Sequence, residues 1–585
     1  MTDHESPAAS FAGSNAGPAH GPGSLFLARL SGTQAEMGAA HARLVARDAA
    51  RLIEFYRTMP ERALAGDLGA AGKLAVRAIA LAWQARLARD RPAAFAARTR
   101  AFVDTVAQLT GERRRGAALA FAAMDALQNT VALAARLHQG PFAGQVSARG
   151  VAAAAPACST AIAWGGATED GELLFARNFD FPGVGVWDAA PAFVVCAPDR
   201  GQRYGFFATR GADTPVVTVV NEAGLVMAPH TRWHRDVGFG GAMIVDLVHA
   251  IAARAETLAD AIAIARERPA SSSWGIAIGS ARERRAAVIE VAGRLVDVVR
   301  PAPGAEHLVC TNRYRSAALQ PGELAASHAW AIHPDRREHR LRALIEGRGA
   351  PLTARDLAGF LGDRVDPAAA GPGAHRRQLG AILAQPLNVH CAVVAPAHRR
   401  AHVGIDRAPC CEGSWAELAW QWDGPAGGWE LAAAAPDSGF AARVVPGFVA
   451  PHSEVSRHVH DATRAYEAEH DVAAARAAIE RAVAAAPADP SLRLAAAWLA
   501  LEAGAPDRAI DHTRIALGYE TEPYRRGQLL VWGARAADRG NPELARRWRD
   551  ELAALDGDGL DELRRQARRR HRGSPRANLM MMDAY

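Results

Sequence analysis

The sequence predicts an α+β protein whose central region holds two sheets between helical layers, preceded by a mostly helical block and followed by helical repeats. Three observations lead there. Between about residues 158 and 450, short apolar runs separated by turn residues alternate with helical stretches. Before that region, apolar residues recur at three- and four-residue steps. Beyond Pro451, similar helical units return at a nearly constant spacing. At 585 residues the chain exceeds one comfortable core. The expected division is a disordered start over 1–24, a mostly helical segment over 25–157, the strand-rich domain over 158–450 and the repeats over 455–575.

Taken in order, Leu25 to Leu30 reads as a strand, and Gln34 to Thr58 as a helix with Val45, Ala49, Leu52 and Tyr56 on one face. Helices follow over Lys73 to Arg89, Pro92 to Leu109 and Arg115 to Leu137, with Pro92 in a first turn and Gly111 at a stop. At Cys158 the texture changes. Ile162 to Trp164, Leu173 to Ala176, Phe193 to Cys196, Tyr204 to Phe207, Val216 to Val220 and Leu225 to Ala228 read as strands. Two helices (Ala242 to Arg254, Leu258 to Arg266) precede strands at Gly275 to Ile278, Ala287 to Val291, Leu295 to Val299 and Leu308 to Cys310. Helices near Arg337 to Ile345 and Thr353 to Leu361 then lead to strands at Val389 to Ala395 and Ala401 to Ile405. In the C-terminal part, Ala475, Ala509 and Ala545 occupy equivalent places 34 and 36 residues apart, with small residues again at Ala482 and Ala516. That period resembles tetratricopeptide-type hairpins, with a plain helical bundle as the simpler alternative.

Composition is that of a globular chain, 49% hydrophobic and 22% charged. The net charge of +6 is carried by arginine, Lys73 being the only lysine, and both signs are spread along the chain. Nucleic acid is therefore not an expected partner, and the absence of a long apolar run argues against a membrane span. Residues 1–23 have no apolar centre of the signal-peptide kind, so a cytoplasmic location is the expectation. The six cysteines have no C-x-x-C spacing, which disfavours structural zinc and thioredoxin-type chemistry.

The chemistry concentrates at Cys158, at the head of an apolar run after the small residues Ala153 to Ala157. A thiol needs a base and a neighbour that favours the thiolate. If the chain is cut before Cys158, the freed α-amine, titrating near about pH 8, lies within reach of its own side chain and is that base. The thiol would attack the Ala157 carbonyl, and water would release the upstream fragment. Asp180 is the candidate to orient the new ammonium, Arg177 the cation beside sulfur, Asn178 a hydrogen-bond donor, and Asn312 an oxyanion donor. On a regular strand, Arg177 and Phe179 share one face while Asn178 and Asp180 share the other. All three polar groups meet only if the strand ends or bulges near Asn178.

Cys158-Ser159-Thr160, the Asp170-Gly171 turn, Arg177-Asn178-Phe179-Asp180, Asn221-Glu222-Ala223-Gly224-Leu225 and Thr311-Asn312 together resemble the self-processing N-terminal-nucleophile hydrolases. The nearest likeness is to the acyl-CoA:6-aminopenicillanic acid (isopenicillin-N) acyltransferase-like family, with choloylglycine hydrolases more distant. Gly32-Thr33-Gln34-Ala35-Glu36-Met37-Gly38 resembles the start of that family's pro-region. The resemblance spans roughly residues 25 to 415. It implies an αββα fold, autoproteolysis between Ala157 and Cys158, and acyl transfer or hydrolysis of a linear amide. By motif, Cys158 is the nucleophile, its amine the base, Asp180 the partner of the amine and Asn312 an oxyanion donor; Arg177 matches the arginine of the choloylglycine branch. The substrate would be a small acylated amine or acyl-thioester; no cofactor is expected, an acyl-CoA being an optional co-substrate. Two positions depart: Arg313 stands where the family often has histidine, and His230-Thr231 where the choloylglycine branch has asparagine.

Each residue also has a plainer account. A cysteine opening an apolar strand is usually a small buried hydrophobe, and it is the ordered set of motifs that favours the nucleophile. His230 and His234 are four apart, but Pro229 makes metal ligation on a helix an unattractive reading; His452, His458 and His460 read as solvated. Cys410-Cys411 reads as a buried thiol pair, and Trp164 and Trp187 as core residues or an acyl-pocket wall. The rival function is an interaction protein that binds a protein partner through its repeats and carries a catalytically degenerate scaffold.

Overall fold

A computed structural model describes residues 23–64, 70–111, 129, 132, 157–236, 240–325, 327–369, 376–431 and 436–568. The expected disordered start and nearly all of the helix expected over 115–137 lie outside the described residues. The chain opens with β1 (Phe26–Gly32), then α1 (Gln34–Leu64), α2 (Ala70–Arg89) and α3 (Ala93–Thr110), which ends at Gly111 in a left-handed conformation (φ 76°). Next come β2 (Ala157–Ala163), β3 (Leu174–Asp180), β4 (Pro191–Pro198), β5 (Tyr204–Thr209), β6 (Thr218–Asn221) and β7 (Leu225–Thr231). Helices α4 (Ile244–Arg254) and α5 (Leu258–Arg266) lead to β8 (Ser273–Ser280), β9 (Arg285–Ala292), β10 (Leu295–Val299) and β11 (His307–Cys310). Helices α6 (His328–Glu346) and α7 (Ala354–Leu361) precede β12 (Asn388–Ala395), β13 (Arg400–Gly404), β14 (Trp415–Trp420), β15 (Gly427–Glu430) and β16 (Phe440–Val445).

These strands form two sheets. One has nine strands in the order β10-β9-β8-β7-β6-β5-β4-β1-β15, the other seven in the order β11-β2-β3-β12-β13-β14-β16. Ile162 and Phe175 from the second sheet meet Phe193 and Phe207 from the first, making an apolar layer between the sheets. On the opposite face of the second sheet, Ala161, Ala163, Leu174 and Ala176 pack against Leu341, Leu357 and Leu361 of α6 and α7. Helices α1, α4 and α5 cover the outer face of the first sheet through residues such as Val45, Ala49, Val248, Ile251 and Ile262. The layers are therefore helix, sheet, sheet, helix, as the α+β αββα reading expected.

Three features differ from that reading. The strand near Leu25 belongs to the nine-stranded sheet, between β4, to which it runs parallel, and β15. Strands β14, β15 and β16 extend the sheets past Ile405, where the sequence marked no strand. Helix α6 also starts earlier than Arg337: Ser327 accepts from the Trp330 amide as its cap, and Pro334 sits inside the helix. A proline marks a stop by its missing N–H, but here, at the seventh residue, it forfeits only the bond to the Trp330 carbonyl and the helix continues to Glu346. The C-terminal part consists of α8 (Glu454–Glu467), α9 (Val472–Ala485), α10 (Pro490–Glu502), α11 (Pro506–Leu517), α12 (Pro523–Ala537), α13 (Pro542–Ala554) and α14 (Leu560–Ala567). Ala475, Ala482, Ala509, Ala516 and Ala545 are all buried between them, which is what small residues at helix crossings provide.

Candidate active site

β2 pairs antiparallel with β3, setting Ala157 opposite Asp180, Cys158 opposite Phe179, Ser159 opposite Asn178 and Thr160 opposite Arg177. Residues directly opposite share a face. Cys158, Thr160, Arg177 and Phe179 therefore look toward the nine-stranded sheet, and Ala157, Ser159, Asn178 and Asp180 toward α6 and α7. The site straddles the edge between these two environments at the start of β2.

On the inter-sheet side, Arg177 Nη2 donates to Cys158 Sγ at 3.3 Å and to the Pro229 carbonyl of β7 at 2.7 Å. Burial pushes the Cys158 thiol up, and Arg177 pulls it back toward thiolate. The Cys158 main-chain N–H donates to Asn312 Oδ1 at 2.9 Å. The Asn312 amide group is turned the other way, donating to the Thr231 carbonyl at 3.0 Å and to Thr231 Oγ1 at 3.3 Å. Asn312 thus faces Cys158 as an acceptor, suited to hold an N–H at that position.

On the helix side, the Asp180 carboxylate lies across from Ala157, next to the Ala157–Cys158 peptide. Oδ1 accepts from Asn388 Nδ2 at 3.0 Å, and Oδ2 has no hydrogen-bond partner although it is fully buried. Burial raises this carboxyl to about 7, against the pull of Arg337, Asn388 and Arg177. Asn178 does not join the site. β3 runs regularly to Asp180, the irregularity falling instead in β12 between Asn388 and His390, so the period of two carries Asn178 away from the thiol. Its Nδ2 donates to the Leu361 and Leu383 carbonyls, both at 2.9 Å, pinning the segment after α7 to the sheet.

Two side chains that sequence reasoning missed complete the arrangement. Arg337 of α6, 1% exposed, donates to the Cys158 carbonyl at 2.8 Å, to Ser159 Oγ at 2.8 Å and to Asn312 Oδ1 at 3.0 Å. Asn388 ties Asp180 to the Cys411 main-chain N–H, which donates to its Oδ1 at 2.8 Å. Neither has a local signal beyond its identity. The departure at Arg313 is structural: its guanidinium pairs with Glu323 at 2.8 Å and Asp335 at 3.0 Å.

Trp187 packs edge-on against Phe179 and Phe181, with ring centroids 5.5 and 6.4 Å apart, forming an aromatic wall beside Cys158; Trp164 sits at the far end of β2. Tyr56 of α1 accepts from Trp187 Nε1 and extends that wall. Among the described residues no His, Cys, Asp and Glu cluster could hold a metal, and all six cysteines are free and buried. His460 bonds the Ala408 carbonyl and is buried with His452, contrary to the solvated reading, because α8 packs over the loop before Cys410.

Residues 167–339 match the family model described as acyl-coenzyme A:6-aminopenicillanic acid acyl-transferase. That stretch is similar to this family. It holds Arg177, Asp180, Asn312 and Arg337 and starts after Cys158. Among solved structures the chain is similar to the Caenorhabditis elegans N-acylethanolamine-hydrolyzing acid amidase (NAAA) ortholog, with 14% identity, 41% of this chain and 93% of that one covered, and a TM-score of 0.29. No curated protein matches. The family and the αββα layers give the scaffold of an N-terminal-nucleophile acyltransferase or amidase.

Proposed function

We propose that the chain is a self-processing cysteine amidohydrolase or N-acyltransferase that cuts between Ala157 and Cys158. The observation that carries this reading is the hold on the Cys158 peptide unit. Its N–H is bound by Asn312, its carbonyl by Arg337 and its sulfur by Arg177, with the Asp180 carboxylate alongside. An ordinary buried cysteine needs none of these. The thiol adds to the Ala157 carbonyl, the peptide nitrogen leaves as an amine carrying the proton the thiol gave up, and water then hydrolyses the resulting thioester to free the upstream acid. The new α-amine replaces the amide that Asn312 already holds and, once protonated, lies near Asp180.

In turnover that amine takes the thiol proton, sulfur adds to the acyl carbonyl of a small acylated amine or acyl-thioester, and an acyl-enzyme forms. Capture by water gives hydrolysis; capture by an amine gives transfer, with an acyl-CoA as an alternative acyl source. The aromatic wall of Phe179, Phe181 and Trp187 favours an apolar acyl group. Intact mass and N-terminal sequencing of the purified protein test the first step. Two fragments, the second beginning at Cys158, are expected, with Cys158→Ala remaining one chain. A single intact wild-type chain, with amidase activity that survives Cys158→Ala, would refute it.

A further inference from the structure

One cavity takes no part in the chemistry at Cys158. Trp164 follows β2, and six residues of extended chain put it about 20 Å from Cys158. There it lines a cavity of about 680 Å³ formed by helix α5, strand β9, the turn before β9 and the chain that follows β10. We propose that this cavity binds a small anionic amphiphile, a carboxylate or phosphate on a short apolar body. On α5, Leu258, Ile262 and Arg266 recur at four-residue steps and share one face. Leu258 and Ile262 make an apolar wall that continues into Ala287 of β9 and Trp164.

The rest of the lining is cationic. Arg266 ends α5, and Arg285 opens β9 on the side that Ala287 also occupies. Val299 of β10 lies opposite Val288, which brings the next residue, Arg300, to the same cavity. Arg284 lines it too, held in a left-handed conformation (φ 47°), and pairs with Glu172 at 2.6 Å. The one carboxylate of the lining, Glu283, is engaged, accepting from the Leu258 N–H at 2.8 Å. Arg266, Arg285 and Arg300 therefore share a hollow with no carboxylate partner of their own among the described residues. Like charges beside a low-dielectric wall focus the field and draw an anion. A guanidinium fork fits two oxygens of a carboxylate or phosphate at once. A cation would be repelled, and an inorganic anion would leave the apolar wall in water. An anion with an apolar body satisfies both, and the volume is of the size that holds small molecules. Among the described residues the lining has no thiol, hydroxyl or imidazole, so the cavity binds and does not transform.

The test is titration calorimetry on the full chain with hexyl phosphate, hexanoate, inorganic phosphate and hexyltrimethylammonium. The variants are Arg266→Gln, Arg300→Gln and Ala263→Glu; Ala263 is exposed on α5 and lines the cavity, and Glu suits a helix. Wild type is expected to bind one hexyl phosphate or hexanoate per chain, the tighter of the two naming the head group. Each glutamine weakens binding about tenfold, the loss of one charge-assisted contact. Ala263→Glu brings a carboxylate into the cavity and weakens binding further. Cys158→Ala binds as wild type does. No binding of either amphiphile at millimolar concentration overturns the site, as do unchanged affinities in the arginine variants. Equal affinity for hexyltrimethylammonium overturns the role of the arginines, and inorganic phosphate held as tightly as hexyl phosphate overturns that of the apolar wall. Binding lost in Cys158→Ala places the ligand beside the thiol and overturns a separate site.

Discussion

Asp180 is the residue whose ionisation reports most directly on the proposed cut. In the uncut chain it is buried with Oδ2 unpartnered, and its carboxyl is raised to about 7. A raised folded-state value means the folded chain binds the proton more tightly than the unfolded chain. Stability from this group is therefore full below the unfolded value of 3.8 and is lost as pH rises through about 7. In the Cys158→Ala background, which stays uncut, adding Asp180→Asn should remove this loss. The gap between the two urea-denaturation curves should open by a few kcal/mol, on the order of 4, from pH 4 to pH 8, in favour of Asp180→Asn. Equal slopes would show that the carboxyl is not held protonated. With Cys158 intact, the same substitution removes the counter-ion of the new ammonium, and processing or turnover followed by mass and by amide cleavage should slow at least tenfold.

Helix α6 brings to the site the side chain that the sequence hid best. Arg337 bridges the Cys158 carbonyl, Ser159 and Asn312. Arg337→Met leaves Asn312 Oδ1 and the Cys158 carbonyl without that cation, so unfolding free energy should fall by about 2–4 kcal/mol and the cut should slow, both read on one preparation by thermal melts and mass. Arg337→Lys keeps the charge but cannot reach three acceptors from one planar fork, and should recover less than half of the processing rate. Local pattern explains what was legible. Cys158, Arg177, Asp180 and Asn312 sit on or beside apolar runs with period two, so their faces could be read from the strand itself. The same period foretold that Asn178 would point away unless the strand broke, and it does not break. Arg337 lies on a helix of His, Arg and Glu interrupted by Pro334 and meets Cys158 only through contacts 179 residues distant in sequence, a relation no local pattern holds. Strands β14 to β16 were missed for a related reason: in Trp415-Ala-Glu-Leu-Ala-Trp420 the exposed alternation is weak and Ala, Glu and Leu are good helix formers.

At the scale of the whole molecule, both flanking regions are built into the αββα layers. Arg525 of α12 pairs with the fully buried Asp366, Asp489 accepts from the Gln378 N–H at 2.9 Å, and Ser491 from the Leu379 N–H at 3.2 Å. These contacts hold the segment that leads into Asn388 and thence to Asp180, so the helical array supports the site it was thought to accompany. Arg525→Leu strands the Asp366 charge and should cost about 3–5 kcal/mol, with the hydrolase and helical parts still melting in one calorimetric transition. Two separated transitions would show the array to be independent. The other flank bears on the proposed cut. β1 lies between β4 and β15, and α1 and α3 send His41 and Arg98 to a common buried partner, Asp213, at 2.9 and 2.5 Å. Removing β1 would expose edges on both neighbours, and removing α3 would leave Asp213 buried without its guanidinium. The fragment released by cleavage before Cys158 should therefore stay bound. Processed protein is expected to run as two bands in denaturant but to elute natively at the size of the uncut Cys158→Ala chain. Arg98→Leu should weaken that association, so that the N-terminal fragment elutes separately after processing; retention by Arg98→Leu at wild-type strength would assign the hold to the β1 pairing alone.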